Sequence, residues 1–426
     1  MRMTRRATGL FGVGLTSVVM TCAVTACGSS SSVSSGGVAA DSPVIIYTST
    51  PIGSAVGNAP EIGAGAKAAA RELNAKGGLD GHQLEIKVCN DTDANEEVLC
   101  ARDATSDNAL AFTGSIFIFN PGSAEAALQA ASIANVAPLV STNAQYAVPI
   151  NFPVDVTANA TADCPALVAE MPGHSAASMR VAPAAIGLPI GQDANSAAAT
   201  VARHIGATVL GGLLIPTTTT SYAPLVQKLA NEKPTLVPIA EGAAGLSGML
   251  EASVSSGADL NYCTNAANVN SPTFRQLGQS ADGYLVATGL PPVADAAKIP
   301  ELGQFVSDMQ AEQKAGDAAA VLSQGSESDA LRSWLGVQII VQVAKSIHGP
   351  LTGKSLLDAL NSDKNVTTGG ILPTLNFTAP PNVPGWQRAF NPVVLLTKWD
   401  VSKSALIDTG VSPRDLLVDL GLKSPA

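Results

Sequence analysis

Residues 65–88 read GAKAAARELNAKGGLDGHQLEIKV. Ala66, Ala69, Ala70 and Leu73 fall at i, i+3, i+4 and i+7, so they share one helix face. Lys67, Arg71 and Asn74 lie on the other side. Glu72 precedes Lys76 by four residues, the favourable order for an exposed pair. Gly77 follows the last turn, where a left-handed residue closes a helix and Gly adopts that conformation without a Cβ penalty. Residues 78–81 then turn the chain. Leu84, Ile86 and Val88 alternate with Glu85 and Lys87, the pattern of a half-buried strand. Just upstream, residues 43–48 (PVIIYT) read as a fully apolar strand. A strand–helix–strand connection of this kind is right-handed in nearly all parallel sheets, so it fixes the start of an α/β fold.

Working outward, the alternation continues. A helix is predicted over 94–108, a strand over 109–113, a helix from Ser123 to about Asn135, and a strand over 136–140 that ends in Ser141-Thr142-Asn143. Loops of Ser, Thr, Asn and Gly follow these strands, and the carboxyl ends of an open parallel sheet form the ligand crevice. Residues 146–157 carry two prolines and read as a crossover. A second series follows: helix 159–171, strand 178–182, helix 192–205, strand 208–215, helix 222–231 and strand 258–263. Residues 283–288 with Pro291-Pro292 read as a second crossover. Helices at 300–314, 328–348 and 352–361 come next, the middle one apolar on several sides and therefore buried. A late strand covers 390–399, and the last 20 residues read as a tail.

At 426 residues the chain exceeds one compact core, so two lobes are expected. Charged residues are 14% and the formal charge is −10, which excludes a basic nucleic-acid footprint. The first residues are an export signal: Arg2, Arg5 and Arg6 precede an uncharged stretch, 7–20. Val24-Thr25-Ala26-Cys27 resembles the lipobox of bacterial lipoproteins, which implies cleavage before Cys27 and a diacylglyceryl thioether on its sulfur. Residues 28–40 (GSSSSVSSGGVAA) form a flexible tether. No later run of 18 uncharged apolar residues offers a second anchor.

Beyond Cys22 and Cys27, four cysteines remain, an even number in an exported chain. Cys89 ends a strand and Cys100 sits in the next helix, so these two can pair, and Cys164 with Cys263 would then be the second bridge. A metal site is the alternative, but no CxxC or HxxxH spacing exists and the four His are scattered. No GxSxG elbow, Walker loop, HExxH or paired-Cys zinc motif appears, so neither an enzyme nor a cofactor is expected.

With these pieces placed, the chain resembles the extracellular solute-binding proteins of ABC importers, of the branched-chain amino acid and amide type. The residues that carry the resemblance are 65–88, Cys89 to Arg102, Gly114-Ser115, 136–141, 330–347 with Trp334, and Leu351-Thr352-Gly353. It implies a type I periplasmic-binding clamshell: two Rossmann-like lobes with parallel central sheets, joined by three crossovers. The expected division is a signal at 1–26, a tether at 27–42, one lobe from 43–153 and 288–388, and a second from 154–287 and 389–426. The implied function is capture of a small solute (amino acid, amide or small organic acid) and delivery to a membrane permease. The molecule would be a monomer held outside the cytoplasm by lipid on Cys27. A sensing lipoprotein that signals to a partner is the alternative.

Carried over by position, the implied ligand contacts are Asn58, Asn120, Ser123, Ser141, Thr142 and Ala144 from the first lobe, and Ile190, Gln192 and Asn265 from the second. Ser123, Thr142 and Asn143 are equally good helix caps, and Asn58 and Asn120 equally good turn residues. Trp334 reads as core, Tyr146 as cleft wall or hinge packing, and Asp91-Thr92-Asp93 as a solvated loop. The sequence departs from family members that bind branched-chain amino acids: no tyrosine lies near Asn58 or Ile190, and the loop that carries their acidic residue is largely absent after Phe274.

Overall fold

A computed structural model describes residues 42–54, 57–269 and 271–424, all within one compact unit. The expected export signal, Cys27 and all of the expected tether except Ser42 lie outside the described residues. No helix among the described residues is long and apolar enough to cross a membrane.

The first lobe begins with β1 (Val44–Thr50), α1 (Glu61–Ala75), β2 (Leu84–Asn90), α2 (Ala94–Ser106) and β3 (Ala111–Thr113). It continues with α3 (Pro121–Ala130), β4 (Ala134–Val136), α4 (Asn143–Tyr146) and β5 (Asn151–Phe152). The strands form one parallel sheet in the order β2-β1-β3-β4-β5. The opening unit folds as its pattern requires: Ala66, Ala69, Ala70 and Leu73 are buried, and β1 runs beside β2 with Val44 opposite Leu84. Gly77 and Gly78 have φ of 102° and 73°. A Cβ on Gly78 would lie 1.9 Å from the His82 carbonyl oxygen, so only glycine fits that turn. Asn74 bridges helix to strand, donating to Leu84 O at 2.9 Å and accepting from Leu84 N at 2.7 Å.

The second lobe holds α5 (Cys164–Ala169), β6 (Arg180–Val181), β7 (Ala184–Ile186), α6 (Pro189–His204), β8 (Thr208–Val209), β9 (Leu213–Ile215) and α7 (Ala223–Glu232). It continues with β10 (Val237–Ala240), α8 (Ala243–Ser256), β11 (Tyr262–Asn265), α9 (Ser271–Leu277) and β12 (Leu285–Thr288). The chain then returns to the first lobe for α10 (Pro300–Lys314), α11 (Glu327–Ala344) and α12 (Gly353–Ser362). It ends with β13 (Val393–Asp400), β14 (Ala405–Asp408), β15 (Arg414–Asp415) and α13 (Leu416–Asp419). The second sheet runs β14-β13-β12-β11-β10-β7-β9, parallel except where β13 meets β12, β14 and β15.

Several sequence expectations are corrected. The strand expected at 136–140 is Ala134–Val136, bracketed by left-handed Ser132 (φ 57°) and Ala137 (φ 53°). The helix expected to reach Asn135 stops at Ala130. The helix at 159–171 is a 3₁₀ stretch, Thr157–Asp163, followed by short α5. β10 and α8 were not predicted at all. The supposed tail packs instead: Leu416 and Leu417 are fully buried, and Asp415 caps α13 by accepting from Leu417 N at 2.9 Å.

Both sequence-predicted disulfides form, Cys89–Cys100 and Cys164–Cys263. α11 packs along α1 so closely that a Cβ on Gly65 would lie 2.2 Å from Ala330 O. Trp334 is core, its indole donating to Asp308 at 2.9 Å.

The chain crosses between the sheets after Phe152, after Thr288 and before Val393. These crossings are tied together underneath. Arg332 of α11, 1% exposed, donates to Asp155 at 2.8 Å and to Asp329 at 2.5 Å. Thr157 N donates to Asp155 at 2.7 Å, Gly289 N to the Thr157 hydroxyl at 2.9 Å, and Asn391 to Val154 O at 3.1 Å. Tyr146 is buried and stacks on Trp386 at 4.8 Å, so it packs the hinge and does not line a cleft.

Candidate ligand crevice

In each sheet, one pair of neighbouring strands sends its following helices to opposite sides. In the first lobe these are β1 and β3, and in the second β7 and β10. Loops past the carboxyl ends of such strands flank the binding crevice of open α/β sheets. The loops concerned, among the described residues, are 51–54 with 57–60, 114–120 and 137–142 in the first lobe, and 187–188, 241–242 and 266–269 in the second.

What these loops bring together is apolar. Ala59, Ile62, Ile116 and Leu139 form a buried cluster, with Ile118, Ala158 and Ala267 packed against it. Ala267 belongs to the second lobe, so the cluster spans the crevice. Beside it, Ser326 links the lobes: its N–H donates to Glu61 at 2.8 Å and its hydroxyl to Ala266 O at 3.2 Å. Burial raises the Glu61 carboxyl to about 7, with the nearby Asp329 charge adding to the rise.

The polar groups of the first rim are turned inward. Glu97 of α2 is 0% exposed and receives three backbone N–H groups of the loop after β3. Ile118 N donates at 2.6 Å and Phe119 N at 3.0 Å to one oxygen, and Asn120 N donates to the other. Burial still holds the Glu97 carboxyl above its ordinary range, and those N–H groups pull it back. In the next loop, Gln145 Oε1 accepts from Ser141 N and Oγ, both at 3.2 Å, and from Thr142 N and Oγ1 at 3.3 and 3.2 Å. Thr142 and Gln145 complete a capping box on α4.

Each expected contact can now be located. Asn58 is exposed and accepts from Gly53 N at 2.8 Å, a turn role. Asn120 precedes α3 and makes no side-chain cap bond. Ser123, Ala144 and Gln192 are exposed in the first turns of their helices. Ser141 and Thr142 are bonded to Gln145 as described. Ile190 is half-buried in the first turn of α6. Asn265 is 3% exposed; its amide N–H donates to Thr161 Oγ1 at 3.1 Å and Ala158 O at 3.4 Å, while its Oδ1 has no partner. Asp91, expected in a solvated loop, is wholly buried beside Ser49, and burial raises its carboxyl to about 8.

Glu97, Gln145 and Glu241 were missed by sequence reasoning. Thr142-x-x-Gln145 carries the capping-box spacing and could have revealed Gln145. Glu97 and Glu241 carry no comparable sequence mark. Glu241 follows β10, is 7% exposed, and its Oε2 is unpartnered. Burial raises its carboxyl to about 7. No group of three or more His, Cys, Asp or Glu among the described residues could hold a metal. A cavity of about 20 Å³ lies beside the 266–269 loop, lined by Ala266, Val269, Pro292, Glu327 and Trp399. It has room for about one water and is not a solute site.

Comparison with known proteins agrees with this architecture. No curated protein matches by sequence. Among solved structures, the fatty acid ABC transporter substrate-binding protein of Thermomonospora curvata superimposes with a TM-score of 0.73 at 16% identity, over 92% of this chain and 97% of that one. The solute-binding protein of an ABC transporter from R. palustris, in complex with 4-hydroxybenzoate, gives 0.71 at 18%, over 90% and 100%. A possible leucine/isoleucine/valine-binding protein of Rhodopirellula baltica SH 1 gives 0.70 at 14%, over 87% and 96%. A periplasmic binding protein family matches residues 43–387. The chain therefore belongs to the periplasmic binding protein family, and its general role is to bind a ligand.

Proposed function

We propose that this chain is the extracytoplasmic binding subunit of an ABC importer, tethered to the membrane by lipid on Cys27. One observation carries the reading: the apolar cluster of Ala59, Ile62, Ile116 and Leu139 meets Ala267 where the strand ends of two sheets converge above a three-strand hinge. A solute would enter between the loops that carry Asn58, Asn120, Ser123, Ser141, Thr142 and Ala144 on one side, and Ile190, Gln192 and Asn265 on the other. The lobes would be 43–153 with 288–388, and 154–287 with 389–426. Binding favours closure only through contacts that the open state lacks, and a solute bridging both rims supplies them. The closed monomer would then dock on permease subunits. The solved neighbours take solutes as different as a fatty acid and 4-hydroxybenzoate, so the frame itself does not select one.

Thermal melting against a broad solute panel tests this reading. At least one solute raises the melting temperature of the chain and not of Ala267→Trp, which fills the crevice. A panel without effect, together with no small molecule co-purifying, overturns it. Mass spectrometry of the membrane-extracted protein shows a diacylglyceryl mass on Cys27, and an unmodified Cys27 removes the anchor.

A further inference from the structure

The first rim raises a question of charge. A carboxylate or zwitterion bound in a crevice needs cations or unused N–H donors to replace its water. Residues 51–60, 114–120, 137–143, 187–192, 241–242 and 265–269 contain no Lys, Arg or His. Several backbone donors of these loops are taken as well. Ile118, Phe119 and Asn120 give their N–H groups to Glu97, and Ser141 and Thr142 give theirs to Gln145. At α6, Pro189 has no N–H, while Gly191 and Gln192 donate to Leu188 O at 3.0 and 3.1 Å. The chain's own Glu97 thus sits where an anion cradle would otherwise form.

The second rim is the reverse. At the ends of β10 and β11 two buried side-chain oxygens lack partners, Asn265 Oδ1 and Glu241 Oε2, both on residues more than nine-tenths buried. Between the rims lie isoleucine, leucine and alanine side chains.

Resting on the solute-binding reading, we propose that the crevice takes an uncharged, largely apolar molecule bearing a hydrogen-bond donor such as a hydroxyl, and that Glu97 excludes carboxylates from it. The apolar body lies against Ile116, Ile118 and Leu139. The donor end faces Asn265 and Glu241, whose oxygens it satisfies. A carboxylate of the same shape gains no partner at the first rim and meets the acceptors of the second, so it binds worse.

Matched probes decide the matter. Binding of 1-octanol and octanoate, and of benzyl alcohol and benzoate, is compared by native mass spectrometry and melting at pH 7.5. Each alcohol binds at least tenfold more tightly than its acid, and leucine does not bind. Acids binding as tightly as the alcohols overturn the proposal and leave the solute-binding reading standing. Failure of all five probes also overturns the proposal; binding of some other solute then preserves the broader reading, and binding of none ends both. Glu97→Ala adds an independent arm. Its freed N–H groups form a carboxylate site, so millimolar acetate raises its melting temperature by several degrees and leaves the parent unchanged. No difference between acetate and chloride refutes the cradle. Should the variant fail to fold, the matched probes on the parent chain still decide.

Discussion

The loops after β3 and β4 and the ends of β10 and β11 handle hydrogen bonding in opposite ways. On the first, donors from the loops after β3 and β4 are consumed by Glu97 and Gln145. On the second, Asn265 and Glu241 hold buried oxygens without partners. A rim whose donors are satisfied is rigid before any solute arrives. A rim with orphaned acceptors bears a desolvation cost that a suitable solute removes. The contrast teaches that the frame shared with other solute-binding structures leaves the orientation of the solute open. On the proposed reading, that orientation would be set by a few side chains behind the loops.

Each rim also has its own covalent support, and releasing it is the strongest way to break the comparison. Cys263 lies two residues before Asn265, and its bridge to Cys164 closes a separation of 99 residues. Replacing both by Ser costs about 4–5 kcal/mol on the chain-entropy model. Cys100 shares α2 with Glu97, and its bridge to Cys89 closes only 11 residues, so the same change there costs about 3 kcal/mol. Urea unfolding of the two double variants ranks them in that order. Equal losses would mean that local packing, not loop closure, dominates.

The next effect separates the rims directly. Glu97→Ala leaves three loop N–H groups without their acceptor, and costs about 3 kcal/mol or somewhat more. Urea midpoints read the loss. A cost below about 1 kcal/mol would show that the loop finds water or another acceptor, and that the first rim is not locked by this residue.

Much of the frame was legible in the sequence because period and punctuation agreed there. Residues 300–314 carry a full helix period after Pro300, and residues 65–88 pair a helical face with a Gly-Gly turn and an alternating strand. β10 and α8 escaped for a physical reason. Pro238, Gly242, Gly245 and Gly248 dilute both patterns, and two of those glycines are small because side chains lie against them. A Cβ on Gly245 would lie 2.5 Å from Glu241 Cγ, and one on Gly248 2.2 Å from the Tyr222 ring. The C-terminal pieces were too short to show any period. The site was less legible than the fold. Glu97 sits among Glu and Arg residues that read as a solvated helix face, and its burial depends on residues 118–120 folding over α2. Ile116 and Ile118 sit in a loop whose Asn, Pro and Gly drew the eye to polar contacts.

The buried carboxyls around the strand ends predict a pH dependence. Burial raises Glu61, Glu125 and Glu241 to about 7 and Asp91 to about 8. Their unfolded values lie near 4. The native state therefore holds protons that the unfolded chain has released. The stability these groups contribute is complete below about pH 4 and is lost as pH rises through 7 and 8. Melting temperature falls between pH 5 and pH 8.5 at constant ionic strength. A rise over that interval would mean that these carboxyls have partners that hold them ionised.

The smallest effect is the most discriminating. Glu241→Gln removes a carboxyl with one unpartnered oxygen and keeps its shape. With no cation lost, the change in stability stays within about 1 kcal/mol at pH 6, where the parent side chain is mostly protonated. At pH 8.5 the parent has lost its proton and bears the cost of a buried charge, whereas Gln does not, so the variant becomes the more stable of the two. The pH-dependent fall in melting temperature is correspondingly shallower in the variant. The same exchange at Glu97 behaves differently, because a Gln amide can turn only one oxygen toward three N–H donors. Glu97→Gln is therefore destabilising at both pH values. If the two substitutions respond alike, the rims are not opposites, and the assignment of donor and acceptor sides to the crevice fails with them.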